Sequence, residues 1–257
     1  MDKIGFIGYG SMGEMIVKEL ISSNTIKPCE MIISTRTMAK LDELKIEYPE
    51  IEIVSNKEFL ANECSKIFLM VNTNELINVL EEIKANLSSD THIIYTSAGV
   101  GIEQLETIFP GKITHFIPTL TGKVAKGVNL ISHNKKVDNH DVDFINNTFR
   151  LLGQTKIIPE KDMALATILT SCFPAFVAFF CKKFAEEAVL NGNFSQKEVD
   201  NMIKTTLEGT SFLLLKMDFD DVISRIATKR GITEAGLKIM EEKLPELLKE
   251  LFEVTSN

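Results

Sequence analysis

The chain has 257 residues, 44% hydrophobic and 25% charged, the profile of a soluble globular protein with room for one large or two medium domains. Its formal net charge of −8 argues against a general nucleic-acid binder but leaves room for a local basic pocket. Four cysteines (Cys29, Cys64, Cys172, Cys181) form no C-x-x-C pair, and four histidines (His92, His115, His133, His140) form no metal motif. No metal site is expected, and the thiols read as buried groups in a reducing compartment.

The first predicted strand, Asp2 to Ile7, runs into Gly8-Tyr9-Gly10-Ser11-Met12-Gly13. A helical pattern follows from Ser11 to Ser22, with Met12, Met15, Ile16 and Leu20 on one side. A G-x-G-x-x-G between strand and helix is the dinucleotide-binding turn. Gly8 makes the tight turn, Gly10 admits a pyrophosphate close to the backbone, and Gly13 lets helix and strand pack. The free N–H groups of Ser11 and Met12 at the helix start then face phosphate oxygens.

The second strand, Met31-Ile32-Ile33-Ser34, ends in Thr35-Arg36-Thr37, with no carboxylate between Glu30 and Asp42. NAD-binding folds usually place an acid here for the ribose hydroxyl. Ser34, Arg36 and Thr37 instead offer a guanidinium fork among hydroxyls, which favours the 2′-phosphate of NADPH. A solvated Arg36 with Thr37 as a helix N-cap is the alternative.

Further strands are read at 51–54, 66–71, 92–95, 112–116, 128–131 and 155–158. Helices fall between them, including Glu75 to Leu87 and Asp141 to Leu152. Near-continuous apolar strands alternating with helices imply an α/β fold with a doubly wound, mainly parallel sheet. Residues 1–158 form this Rossmann-type dinucleotide-binding domain, and residues 159–257 form an all-helical domain.

In the second part, helices are expected at about 160–191, 195–216, 218–226 and 234–253, with Ser195 and Glu198 as a capping box. The uncharged run from Ala164 to Cys181 is about long enough to span a bilayer. Its Thr167, Thr170, Ser171 and Pro174 favour a helix buried on all sides. Phe173, Phe176, Phe179, Phe180 and Phe184 need partners, so this surface is expected to be buried against another subunit. No membrane association is expected, and no signal-peptide pattern precedes the first strand, so the protein is expected in the cytoplasm.

Together these segments resemble pyrroline-5-carboxylate reductases. The resemblance rests on Ile4 to Gly13, on Ser34-Thr35-Arg36-Thr37, on Ser97-Ala98-Gly99-Val100, on Pro118 and Gly127, and on Thr170-Ser171-Cys172-Phe173-Pro174-Ala175-Phe176. The most specific match is Ile226-Ala227-Thr228-Lys229-Arg230-Gly231-Ile232-Thr233-Glu234-Ala235-Gly236-Leu237, which is similar to the family's C-terminal signature. The resemblance implies reduction of the cyclic imine 1-pyrroline-5-carboxylate to proline with NADPH. It also implies a Rossmann domain followed by a helical dimerisation domain, a homodimer or a higher oligomer of dimers. Val71, Asn72, Ala98 and Gly99 would join the cofactor site. Thr228 and Thr233 would be the catalytic hydroxyls, Thr233 at the imine nitrogen. Thr170, Ser171, Cys172, Phe173, Arg230 and Gly231 would surround the substrate carboxylate. From the residues alone, Thr233 also reads as a helix N-cap and Gly231 as a residue supplying a positive φ.

The chain departs from the family pattern at this pocket. Val71-Asn72-Thr73 replaces V-K-P, Phe173 and Ser171 replace glycines, and Lys229-Arg230 replace proline and the first glycine of the signature pair. A phenylalanine cannot let backbone approach a ligand as a glycine does, whereas Arg230 adds a fork for a carboxylate. The pattern also resembles divergent relatives encoded in late-competence operons (the ComER type). It leaves open an NADP-binding paralogue with another imine or keto substrate, or with a regulatory role.

Overall fold

A computed structural model describes residues 3–255. Asp2, read as part of the first strand, lies outside the described residues. The chain divides into two compact units, one ending at Cys172 and the other beginning at Phe173.

The first unit is built on eight strands: β1 (Lys3–Ile7), β2 (Met31–Ser34), β3 (Glu52–Ile53), β4 (Cys64–Leu69), β5 (His92–Tyr95), β6 (Lys112–Ile117), β7 (Gly127–His133) and β8 (Gly153–Ile157). Their order in the sheet is β3-β2-β1-β4-β5-β6-β7-β8. Every neighbouring pair is parallel except β6 and β7. Only a short 3-10 turn, Leu120–Val124, joins those two strands, and a parallel return would need a crossover. The chain order reverses at β1, where β2 and β4 flank it, and such a switch point is where open α/β sheets bind ligands.

Six helices cover the sheet: α1 (Ser11–Ser22), α2 (Ala39–Glu47), α3 (Lys57–Glu63), α4 (Thr73–Ile83), α5 (Ile102–Glu106) and α6 (Asn139–Phe149). Strand side chains alternate between the two faces, and both faces are apolar. Phe6, Phe68, Ile94 and Phe116 pack with Ile16, Leu41, Ile145 and Phe149 from α1, α2 and α6. Ile67, Leu69, Ile93 and Ile113 pack with Leu60, Leu76, Leu80 and Leu105 from α3, α4 and α5. This two-sided burial is why the strands read as unbroken apolar runs.

The amino-terminal ends of β4, β5 and β6, away from the switch-point cavity, carry a buried polar network. His92 Nε2 lies 2.6 Å from Thr114 Oγ1, which lies 2.8 Å from His133 Nδ1. Asp141 accepts from Lys66 at 3.1 Å and from Lys112 at 2.6 Å. Burial pushes the His92 imidazole down to about 4, and lowers His133 as well. Burial opposes the charge on Asp141, but the two lysines outweigh it and hold its carboxyl below the usual range.

From β8 the chain passes through α7 (Met163–Thr167) and a π-helical segment, Ile168–Cys172. The second unit comprises α8 (Phe173–Asn191), α9 (Gln196–Leu214), α10 (Phe219–Ile226) and α11 (Ile232–Thr255). Ser195 and Glu198 form the expected capping box on α9. Within this unit only Ala185, Val199 and Val222 are buried hydrophobics among the described residues. Phe179, Phe180 and Phe184, the surface expected to be buried against another subunit, are more than half exposed in the single chain. By length and composition the stretch from Glu160 to Asn191 is able to cross a membrane. The thiols also differ from expectation: Cys64 is buried, Cys29 is exposed on a surface 3-10 turn, and Cys172 and Cys181 are intermediate.

Candidate nucleotide and active site

The three glycines of the opening turn have separate physical reasons. Gly8 sits at φ 103°, and a Cβ there would come within 2.3 Å of the Met70 carbonyl oxygen. A Cβ on Gly13 would meet the Gly8 carbonyl oxygen at 2.7 Å, so α1 packs against the turn only because that side chain is missing. A Cβ on Gly10 would meet nothing within 4 Å. Gly10 is therefore spared a side chain by open space rather than by protein, as a ligand seat requires. No side chain caps α1, so the N–H groups at its start are left without a side-chain acceptor.

That space is a cavity of about 530 Å³ along the carboxyl ends of β1, β2 and β4. Tyr9, Gly10, Ser34, Arg36 and Thr37 line it, with Val71 and Asn72. The Ser34 carbonyl accepts from the Gly8 N–H at 2.8 Å, tying β2 to the turn. Arg36 reaches across and pairs with Glu75 of α4. Thr37 does not cap α2. Met38 precedes that helix, and the Thr37 carbonyl accepts from the Lys40 N–H at 3.2 Å. Two further cations line the cavity that the sequence reading missed, Lys40 and Lys57. Lys57 holds both Glu82 oxygens at 2.7 Å, whereas Lys40 has no ion-pair partner among the described residues. Lys57 is far along the chain from the β2 end and is brought to the cavity by α3, whereas Lys40 lies only six residues past Ser34, on the first turn of α2.

A second cavity of about 330 Å³ shares Gly10, Met70, Val71 and Asn72 with the first. Ser11, Met12 and Gly13 line it on one side, and Thr96, Ala98, Pro118, Thr167 and Ser171 on the others. Gly99 is turned elsewhere, toward the Thr73 side chain. The π-helical segment is bound to the strand end beneath it. Thr119 Oγ1 donates to the Thr170 carbonyl at 3.0 Å, and Ser171 Oγ donates to the Pro118 carbonyl at 3.2 Å. The Thr170 hydroxyl donates back to Ala166 at 3.0 Å, and Cys172 is half-buried outside the lining.

The remaining predicted residues belong to the second unit. Phe173 opens α8 and is 57% exposed. Between α10 and α11 the backbone turns tightly, with the Gly231 N–H donating to the Thr228 carbonyl at 2.9 Å. Arg230, not Gly231, takes the left-handed conformation, at φ 63°. Gly231 is needed instead for close approach, because a Cβ there would lie 2.6 Å from Thr228 Oγ1. Thr233 is not the helix N-cap: α11 already begins at Ile232, and Glu234 accepts from the Arg230 N–H at 2.7 Å. Thr228 and Arg230 present exposed side chains from this turn, and Thr233 is half-buried.

Residues 160–257 match the family model for pyrroline-5-carboxylate reductase dimerisation, and residues 3–99 match that of NADP oxidoreductases, coenzyme F420-dependent. A pyrroline-5-carboxylate reductase of Methanobrevibacter smithii is 31% identical, over 93% of this chain and 97% of its own. The chain belongs to the pyrroline-5-carboxylate reductase family. The chain is also 27% identical to ComE operon protein 4 of Bacillus subtilis, over 98% of this chain and 93% of its own. The fold agrees with a pyrroline carboxylate reductase of Plasmodium falciparum crystallised with NADP bound. That structure is 26% identical, with a TM-score of 0.87 over 99% of this chain and 95% of the other. The mainly parallel sheet and the helical second part, both expected from the sequence, are features of this family's architecture.

Proposed function

We propose that the protein is an NADPH-dependent reductase that converts 1-pyrroline-5-carboxylate to L-proline, working as a cytoplasmic homodimer. The observation that carries this reading is the seat at Gly10: an uncapped helix start beside two cavities that share lining residues, with Arg36 and Lys40 rather than an acid in the segment that follows β2. The residues fit NADPH. Ser34, Arg36, Thr37 and Lys40 would hold the adenosine end with its 2′-phosphate, and the N–H groups of Ser11, Met12 and Gly13 would hold the pyrophosphate. Val71, Asn72 and Ala98 would line the nicotinamide end. The cofactor, when bound, supplies the hydride. The protein's own part is to orient the imine, hold its carboxylate and deliver a proton. Thr233 and Thr228 would serve the imine nitrogen, and Thr170, Ser171 and Gly231 the carboxylate.

Arg230 gives this site a character of its own. A non-glycine residue in the left-handed region costs about 1–2 kcal/mol. Such strain persists only where the surroundings hold it, and it clusters at functional sites; Asn24 and Ala125 carry it too, but only Arg230 falls in the signature segment. We assign the Arg230 guanidinium to the substrate carboxylate, doing with a side chain what glycine backbone does in the family's signature. Lys229 and Arg230 together also favour a second reading, in which the same chemistry serves a larger or more acidic imine. Steady-state oxidation of NADPH with 1-pyrroline-5-carboxylate tests the first reading, and a panel of bulkier cyclic imines tests the second. Gly10→Val should keep the fold, since a Cβ there meets no protein atom within 4 Å, yet weaken NADPH binding by about a hundredfold or more. Unchanged affinity in that variant, measured by nicotinamide fluorescence, would remove the seat from Gly10.

A further inference from the structure

Glu160 opens the segment that carries Thr167 and Ser171 to the smaller cavity, and it is tied into the sheet by groups that no catalytic role explains. Its Oε1 lies 2.8 Å from His115 Nδ1 on β6 and accepts from the Ile102 N–H at the start of α5, at 3.1 Å. The Tyr95 hydroxyl lies 3.4 Å away while donating to the Val100 carbonyl at 2.9 Å. Tyr95 stacks on the His115 ring, with centroids 4.3 Å apart. His115 is 1% exposed and Tyr95 fully buried, so the carboxylate reaches into the interior from the chain that follows β8. Burial works against its charge, yet the His115 and Ile102 hydrogen bonds hold the carboxyl below its usual range.

The far end of the same segment is held by the continuation of the same strand. Thr119 and Ser171 make the two hydrogen bonds described above, three and four residues beyond His115 on the β6 side. Between the two anchors, Met163 packs with Ile117 and Leu130. Residues 160–172 are therefore strapped at both ends to β6, and the cavity wall they form depends on both straps. π-helical turns such as Ile168–Cys172 are rare and are frequent at functional sites, and this one lies in the wall held between the two straps.

We propose that Glu160 is a positioning residue: through His115 and the Ile102 N–H it fixes the wall bearing Thr167 and Ser171 against the nucleotide turn. This rests on the reductase reading for its kinetic consequence, but not for its structural one. The test uses the full chain as wild type, Glu160→Ala and Glu160→Gln. Glutamine keeps an oxygen for both donors, whereas alanine keeps none. Amide exchange without nucleotide or substrate should quicken about tenfold across 163–172 in the alanine variant, leave residues 3–70 unchanged, and return to near wild type with glutamine. With 1-pyrroline-5-carboxylate, the alanine variant should raise the imine KM about tenfold with little change in the NADPH KM, again with rescue by glutamine. Unchanged exchange at 163–172, equal deprotection of both regions, or a glutamine variant as impaired as alanine would overturn the proposal. A wild-type protein that turns over no imine would refute the reductase reading while the exchange result still decides the role of Glu160.

Discussion

The two units are built on opposite terms. The first buries its apolar residues on both faces of one sheet, and its largest side chains, such as Phe6, Phe68, Phe116 and Phe149, are fully covered. The second has four helices and three buried hydrophobics among the described residues, with Phe179, Phe180, Phe184, Phe212 and Phe219 exposed. An apolar surface of that extent marks an interface rather than a solvent face. The first unit is thus finished by its own sequence, and the second needs a surface that this chain alone does not supply. The match of residues 160–257 to a dimerisation family agrees with that need.

Stability should expose the contrast most strongly. Phe149 stacks on Phe116 at 3.9 Å and meets Phe68 edge-on at 5.8 Å. Phe149→Ala should cost about 3–5 kcal/mol at every protein concentration, because the cavity it leaves is internal to one chain. Phe180→Asp combined with Phe184→Asp should act through assembly. Sedimentation should move from dimer to monomer, and the loss of melting temperature should shrink as protein concentration rises. A concentration-independent loss in the second variant would break the comparison.

Acid should strike the first unit next. His92 titrates at about 4 in the folded chain against 6.5 when free, so only the unfolded chain binds its proton between those values. Stability is full above pH 6.5 and falls as pH drops toward 4, by on the order of 3 kcal/mol for this group. His133 acts in the same direction over the same range, and Asp141 adds to the loss only as pH falls below 3.8. Denaturant titrations from pH 7 to 4.5 check it, and His92→Gln should flatten much of the slope.

The smallest effect falls on the second unit and separates stability from function. Arg230→Gly relieves the left-handed strain, so the folded state should gain up to about 1 kcal/mol. The same change should raise the imine KM about tenfold through loss of a charge-assisted contact. Reduced stability with unaltered KM would return Arg230 to the role of a solvated turn residue.

The architecture was legible where local chemistry and burial agree. Ser11 to Ser22 reads as a helix and is one, because Met15, Ile16 and Leu20 face the sheet and the glycine turn fixes its start. The antiparallel β7 was not legible, since its direction is set by the short connection and not by its apolar pattern. Lys57 escaped notice because no spacing links it to β2; Lys40 lies four residues after Arg36 and reads as an ordinary helix residue until the fold turns it to the cavity. The cap roles of Thr37 and Thr233 misled for a simple reason: a hydroxyl before an apolar run marks a helix start only to within a residue or two. His115 and Glu160 are 45 positions apart, and only the fold brings them to 2.8 Å.

Transfer of the hydride itself is the most direct test of the whole account. With NADPH deuterated at the transferable position of the nicotinamide, the proline formed from 1-pyrroline-5-carboxylate should carry one deuterium, at the carbon that was the imine. Mass spectrometry that finds no proline, or finds proline without label, would contradict the account.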